Sequence, residues 1–375
     1  MTFLTGKTIL IISSEKWNDL RLSKHHYAEE LASRGNHVFF LNPPESSYNL
    51  PVVTKVINER LKVIDFNTHV KGERFIPLRI LNMVRRKQAK KIDQLCGKKI
   101  DIVWSFFPNQ FHDLRVFKGS LKIFHPVDKI LTPKYVRSAK NADVVFSVAE
   151  YLLNDFRPYN QHCYFINHGL SKTYASVPLK ESYQVGATIK VGYVGNLLRP
   201  DIDHKVFLQI IESNPDLQFI IWGSTDYKQL DWNHSGEKSV IEFIEQLRKY
   251  EHVTLRGLVH PDIVVEESAM MDMFFCCYDP LKEINRASNN HKLMEYFSSG
   301  KVVVSHFMET YDSKRQLLEM CSGYTNEELP ILFDKVVQNI TYWNSDVFRM
   351  QRIEFARSNT YSLQIDRIQH IISSL

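Results

Sequence analysis

Hydrophobic positions along the chain gather into short runs of strand length, separated by stretches with helical spacing. In the first half the runs are "ILIIS" (9–13), "HVFFLN" (37–42), "IDIVWSFF" (100–107), "LKIFHPV" (121–127), "DVVFSVA" (143–149) and "CYFINHG" (163–169). In the second half they are "IKVGYVGN" (189–196), "LQFIIWGS" (217–224), "VTLRGLV" (253–259), "MFFCCY" (273–278) and "KVVVSHF" (301–307). Most are apolar throughout rather than alternating, as parallel strands buried on both faces require. Strand and helix alternating twice over predicts two doubly wound α/β domains. The segment 170–188, "LSKTYASVPLKESYQVGAT", is polar and without strong periodicity, and it precedes a fresh strand–turn–helix start. Residues 1–175 and 176–355 are therefore expected as the two domains. Residues 356–375 have helical spacing and are expected to form a helix that packs back toward the N-terminal domain.

Composition narrows the class. A chain of 375 residues with 44% hydrophobic and 24% charged residues is ordinary for a globular protein and long enough for two cores. No run approaches the ~18 consecutive apolar residues of a membrane span. The apolar stretch Ile9–Ile12 is too short for a signal-peptide core, so a cytoplasmic location is expected. Five cysteines without CxxC spacing suggest neither a zinc site nor a disulfide framework. Residues 1–170 hold 26 of the 47 Lys and Arg and 15 of the 42 Asp and Glu, so this part carries +11 and the remainder −6. One half is basic and the other acidic.

The most informative stretch is "SNNHKLMEYFSSGKVVVS", Ser288 to Ser305. It reads as amide caps at Asn289 and Asn290, a short helix with Leu293 and Phe297 facing inward, a stop at Gly300 and a buried strand. Lys292 and Glu295, three apart, are neighbours on another helix face. As a surface ion pair they would contribute a few tenths of a kcal/mol. In a site they have complementary uses: lysine suits phosphate, and a carboxylate grips vicinal hydroxyls.

This stretch resembles the P-x-K-xx-E-(Y/A)-xx-x-G-x-P-V-V signature in the C-terminal domain of GT-B glycosyltransferases. "VGYVGNLLRPDIDHKVFLQIIESNPDLQFIIWGS" and "VTLRGLVHPDIVVEESAMMDMFFCCYDP" are similar to the start and the next unit of that domain. "SKHHYAEELASRGNHVFFLNPP", "KIFHPVDK" and "ADVVFSVAEYLLNDF" resemble elements of the N-terminal domain. The likeness runs in order along nearly the whole chain and is nearest to the bacterial cell-surface polysaccharide branch, of the teichuronic-acid and capsule type. It implies two Rossmann-like domains facing a cleft, with the acceptor on the first domain and the donor on the second.

By that resemblance Glu295 holds the ribose hydroxyls of a nucleotide-sugar donor. Lys292 faces the diphosphate together with Asn289, Asn290 and the helix N-terminus, and Gly195 lets backbone approach the same group. Asn196 stands near a position that is Arg in many relatives, and Arg199 and Lys205 are the available cations. The family's paired-glutamate pattern fails here: eight residues before Glu295 is Ala287, so that role falls to Arg286, Asn289, backbone, or nothing. His125 and Asp128 are the candidates for the reacting centre. Ser13, Ser14 and Trp17 follow the first strand, and His25 and His26 open the first helix; these are candidates for the acceptor face.

The stretch Arg79 to Lys99 interleaves basic residues with Ile80, Leu81, Val84, Ile92 and Leu95, the pattern of a helix that rests on anionic lipid. A solvated face is the alternative. Nucleic acid is disfavoured because no binding motif accompanies the charge. The expected reaction is transfer of a sugar from a nucleoside-diphosphate sugar, UDP- or GDP-linked, to a glycan or lipid-linked acceptor. It would follow a retaining course without metal or cofactor, and an inverting course would instead need His125 or Asp128 as general base. The alternatives are an inactive scaffold of the same fold and, from another enzyme class, a sugar-nucleotide epimerase.

Overall fold

The apolar runs become the central strands of two sheets. The computed structural model describes residues 4–18, 21–45, 47–129, 132–178, 182–226, 238–282 and 289–375. The chain divides into two compact units, one of Met1–His168 with Tyr361–Leu375 and one of Gly169–Thr360.

The first unit carries strands β1 (Thr8–Ile12), β2 (His37–Leu41), β3 (Val52–Asn58), β4 (Leu61–Asp65), β5 (Ile102–Ser105), β6 (Leu121–Phe124), β7 (Val144–Ser147) and β8 (Cys163–Phe165). Their order is β3-β4-β2-β1-β5-β6-β7-β8, parallel except for the β3–β4 edge pair. Ile9 sits between Val38 and Ile102 in register, so the centre of the sheet is a ladder of branched residues. One face is covered by α1 (Ser23–Ser33) and by the C-terminal helix Tyr361–Ser373, whose Tyr361, Ile365, Ile368 and Ile372 join Tyr27 and Leu31 in the core. Arg34 ties the two helices by an ion pair to Asp366. The other face is covered by α2 (Leu78–Cys96) through Ala89 and Ile92. The smaller helices α3 (Pro133–Lys140) and α4 (Glu150–Phe156) pack beside β6 and β7.

The β3–β4 hairpin departs from the sequence expectation. Its edge strand β3 is mostly exposed and is broken by Lys55, and Lys62 interrupts β4, so neither forms an unbroken apolar run. An edge strand buries little of either face, and charge on it discourages pairing with a further chain.

The second unit has β9 (Lys190–Val194), β10 (Gln218–Trp222), β11 (Val253–Gly257), β12 (Met273–Cys276), β13 (Val302–Ser305) and β14 (Glu319–Met320), ordered β11-β10-β9-β12-β13-β14 and parallel throughout. Its helices are α5 (Lys172–Ala175), α6 (His204–Ser213), α7 (Lys238–Leu247), α8 (Pro261–Ser268), α9 (Lys292–Ser298), α10 (Leu329–Gln338), α11 (Ile340–Trp343) and α12 (Asp346–Arg357). The strand order reverses between β9 and β12 in this unit and between β1 and β5 in the other. Such switch points, at the carboxyl ends of the strands, are where open α/β sheets hold ligands.

Candidate active site

At the switch point of the second unit, β9 runs into Gly195 and Asn196. The backbone there is crowded. A Cβ on Gly195 would lie 2.9 Å from the Tyr193 ring, and one on Gly223, at the end of β10, would lie 1.7 Å from the Gly195 carbonyl oxygen. Gly223 has φ +145°, so two glycines in contact let the strand ends close on each other. The Asn196 side chain accepts from the Leu198 amide at 3.0 Å and fixes the turn.

Helix α9 is stapled to this turn by Tyr296, whose hydroxyl accepts from the Val194 amide at 2.8 Å and lies 3.4 Å from the Val194 carbonyl. Its ring stacks on Phe274 at 4.2 Å. The helix begins at Lys292 with His291 as its cap, two to three residues later than expected, and has only seven residues. Asn290 still accepts from the first helical amide, Lys292 N–H, at 3.1 Å, and both Asn289 and Asn290 are buried. Gly300 ends the segment with φ +76°, as the sequence pattern predicts.

Lys292 Nζ lies 2.9 and 3.2 Å from the two carboxylate oxygens of Glu295. The side chains retain only 22% and 18% of their exposure, so this is not a fully solvated surface pair. Tyr174, on α5, also hydrogen-bonds the Glu295 carboxylate, and burial together with that negative charge holds its phenol well above the usual range. Glu295 lines a small cavity of about 50 Å³ with Tyr174, Ser298 and Lys301. Tyr174 lies in the polar segment that reads as a domain break, so its pairing with Glu295 is invisible in the sequence.

Of the two cations considered after the β9 turn, Arg199 is held bidentately by Asp201, at 2.8 and 2.7 Å. Lys205, on α6, is exposed and has no ion-pair partner among the described residues. Arg286 and Ala287 lie outside the described residues.

The first-unit candidates are distributed differently from expectation. His125 does not stand at an open rim. It is wholly buried, its Nδ1 accepts from Trp104 Nε1 at 3.3 Å, and its ring lies against Tyr27, Phe106 and Phe146. Asp128 is exposed, and its carbonyl accepts from the Tyr135 hydroxyl. His25 caps the helix start: its Nδ1 accepts from the Leu22 amide at 3.0 Å and its Nε2 lies 3.2 Å from the Lys16 carbonyl. Trp17 is buried edge-on against His25 and Phe40. His26 stacks on Tyr361 at 4.8 Å. Ser13 bonds the backbone of Glu15. Ser14 donates to Glu15 at 2.7 Å and accepts from Lys24 at 2.8 Å. Lys24 is buried and paired with Glu15, and burial pulls its pKa down to about 8. In the polar run Ser23–His26 nothing marks Lys24 as buried, and sequence reasoning missed it.

The buried histidines have a measurable consequence. Burial lowers His25 and His112 to about 4, and burial together with His168 lowers His125 to about 3. The unfolded chain takes up protons near pH 6.5, before the folded one does, so stability is present above that pH and lost as pH falls toward 4. Each site can contribute on the order of 3 kcal/mol across the window. Thermal midpoints measured from pH 7 to 4 should fall steeply for the wild type and less steeply for His125→Phe; equal slopes would contradict this.

Basic residues 79–99 also separate. Arg79, Arg86, Lys87 and Lys90 are exposed beside exposed Ile80 and Met83, whereas Arg85 turns inward and pairs with Glu73 at 2.7 Å. Among the described residues no helix is long and apolar enough to cross a membrane, and no group of His, Cys, Asp and Glu could hold a metal ion.

The architecture is that of GT-B glycosyltransferases. Sucrose-phosphate synthase from Thermosynechococcus elongatus is 12% identical and superposes with a TM-score of 0.72, over 98% of this chain and 99% of that one. Anabaena HepE in complex with UDP-glucose is 13% identical with a TM-score of 0.68, over 98% and 100%. A glycosyltransferase from Rickettsia africae is 12% identical with a TM-score of 0.70, over 97% of each chain. At these identities the likeness shows the fold alone. No protein-family model and no curated protein sequence matches the chain.

Proposed function

We propose that the protein is a glycosyltransferase that moves a sugar from a nucleoside-diphosphate sugar to a glycan or lipid-linked acceptor in bacterial surface polysaccharide synthesis. The observation that carries this reading is the Glu295 carboxylate. It is held between Lys292 and Tyr174 on a helix that Tyr296 ties to the switch-point turn. A carboxylate so placed takes the vicinal hydroxyls of a ribose. Lys292 then turns from Glu295 to the diphosphate, where its charge stabilises the leaving group as negative charge develops. Gly195 and the Asn196 turn supply close backbone, and Lys205 is the cation still open for a second phosphate contact. The GT-B architecture, found also in HepE with UDP-glucose, supports a nucleotide-sugar donor.

A retaining course, in which the departing phosphate itself draws the acceptor proton, asks for no protein nucleophile or metal. That suits a His125 enclosed by aromatic rings; if a general base were needed, Asp128 is the exposed candidate. Work on the cytoplasmic face of a membrane would bring exposed Ile80 and Met83, with their basic neighbours on α2, against anionic lipid.

The test is thermal unfolding with UDP, GDP, CDP, ADP and dTDP. A nucleotide at ~100 times its dissociation constant stabilises by about 2.7 kcal/mol, a rise of several degrees. One base should raise the midpoint clearly above the others; no rise with any of the five overturns the donor assignment.

A further inference from the structure

A separate cavity of about 930 Å³ opens in the first unit, among the segments that follow the carboxyl ends of β2, β4, β5 and β6. It shares no residue with the Lys292–Glu295 site. Four cations line it, Arg74, Arg85, Lys134 and Arg137, against a single carboxylate, Glu73. Glu73 is already engaged twice, by Arg85 at 2.7 Å and by Lys134 at 2.7 Å. Arg137 is half-buried and has no ion pair among the described residues, so one guanidinium faces the cavity unmatched.

The second observation is independent of charge. His112 is 1% exposed and lines the cavity, yet neither ring nitrogen has a hydrogen-bond partner among the described residues. The same holds for Arg85 Nε and for the hydroxyl of Thr68, both buried in the same wall. Native interiors satisfy nearly all such atoms. Five such atoms line the cavity; Glu73 Oε1 among them is matched in charge by Lys134 at 2.7 Å, and the other four, beside an excess of guanidinium and ammonium charge, make a surface complementary to an oxygen-rich anion.

We propose that this cavity binds a saccharide bearing a phosphate or carboxylate group, with Arg137, Arg85 and His112 recognising the anion. The cavity is of the size that takes a small molecule rather than a lone ion. Assigning the ligand as the acceptor of the transfer rests on the glycosyltransferase reading; the anion site itself does not. Exposed Phe75 and Leu78 stand at its border, where an apolar aglycone could lie. The anion therefore has two sources, a soluble sugar acid or phosphate and the headgroup of a lipid-linked one.

The experiment is calorimetric titration of the full chain with glucose 6-phosphate and with glucuronate, using glucose as the neutral control. Flotation with phosphatidylglycerol vesicles, set against phosphatidylcholine vesicles, forms the second arm. Wild type, Arg137→Gln and His112→Phe are compared, and the nucleotide that stabilises the wild type is titrated into each. Arg137 is partly exposed and its side chain makes no ion pair among the described residues, so Arg137→Gln should fold normally. Binding of the charged sugars but not of glucose, weakened tenfold or more in both variants while nucleotide affinity stays unchanged, supports a site for soluble anions. Selective flotation with anionic vesicles that both variants lose supports the same chemistry on a lipid headgroup. Binding of neither anion, or equal binding by wild type and variants, overturns the proposal. Anion binding by a wild type that no nucleotide stabilises would instead count against the donor site alone, so the two failures are separable.

Discussion

Glu295→Ala should abolish the nucleotide-dependent rise in thermal midpoint while leaving the unliganded protein folded. A carboxylate accepting from two hydroxyls makes charge-assisted bonds of about 1.5–3 kcal/mol each. After Lys292 is freed and water enters, a loss near 3 kcal/mol is expected, about a hundredfold in affinity. The cost to the fold is small. The Lys292–Glu295 pair is partly exposed, and pairs of this kind contribute roughly 0–1 kcal/mol. Tyr174 loses its acceptor but can turn to water entering the small cavity. Calorimetry with the preferred nucleotide checks the prediction, and Glu295→Gln separates charge from shape: the amide keeps the volume but grips hydroxyls less tightly. If Glu295→Ala binds nucleotide as well as the wild type, the pair is a helix surface and the donor site lies elsewhere.

Gly223→Ala should be the most damaging single methyl in the second unit. The obstacle at 1.7 Å is the Gly195 carbonyl, a backbone atom, and φ +145° is itself unfavourable for an L side chain. Relief requires β9 and β10 to part at their carboxyl ends, where Gly195 N–H donates to the Trp222 carbonyl at 2.9 Å. A cost of about 3–4 kcal/mol is expected, which lowers the midpoint by roughly 6–16 °C. Gly300→Ala is the comparison. Its φ of +76° is also strained, but the nearest atom is the tip of Ile353 at 2.9 Å, which can rotate away. Gly300→Ala should therefore cost about 1 kcal/mol. Equal losses in the two variants would mean that local backbone strain, not the contact between strand ends, dominates at Gly223.

The sequence carries the sheet centres because parallel strands buried on both faces leave unbroken apolar runs, and each such run became a strand. It does not carry the β3–β4 hairpin, which buries too little to exclude Lys55 and Lys62, nor the two-residue strand β14. Side-chain pairing was readable where partners lie within a turn, as for Lys292 with Glu295. It was not readable where partners meet through the fold. Tyr174 reaches Glu295 from more than a hundred positions away, and Tyr296 reaches back to Val194. Arg199 shows a third limit: Asp201 is only two residues on, but whether a loop folds the two together depends on backbone geometry that composition does not encode. His25 and His125 have side chains suited to chemistry, and nothing local in the sequence shows that both are enclosed by the fold.

The measurement that bears most directly on the proposed donor site is amide hydrogen exchange, with and without the preferred nucleotide at ~100 times its dissociation constant. Slowed exchange is predicted at residues 193–199 and 289–298, the two segments joined by Tyr296, with the first unit's 66–76 and 107–113 unchanged. Protection confined to other segments, or a bound nucleotide that leaves 289–298 exchanging at its free rate, would contradict the assignment of Lys292 and Glu295.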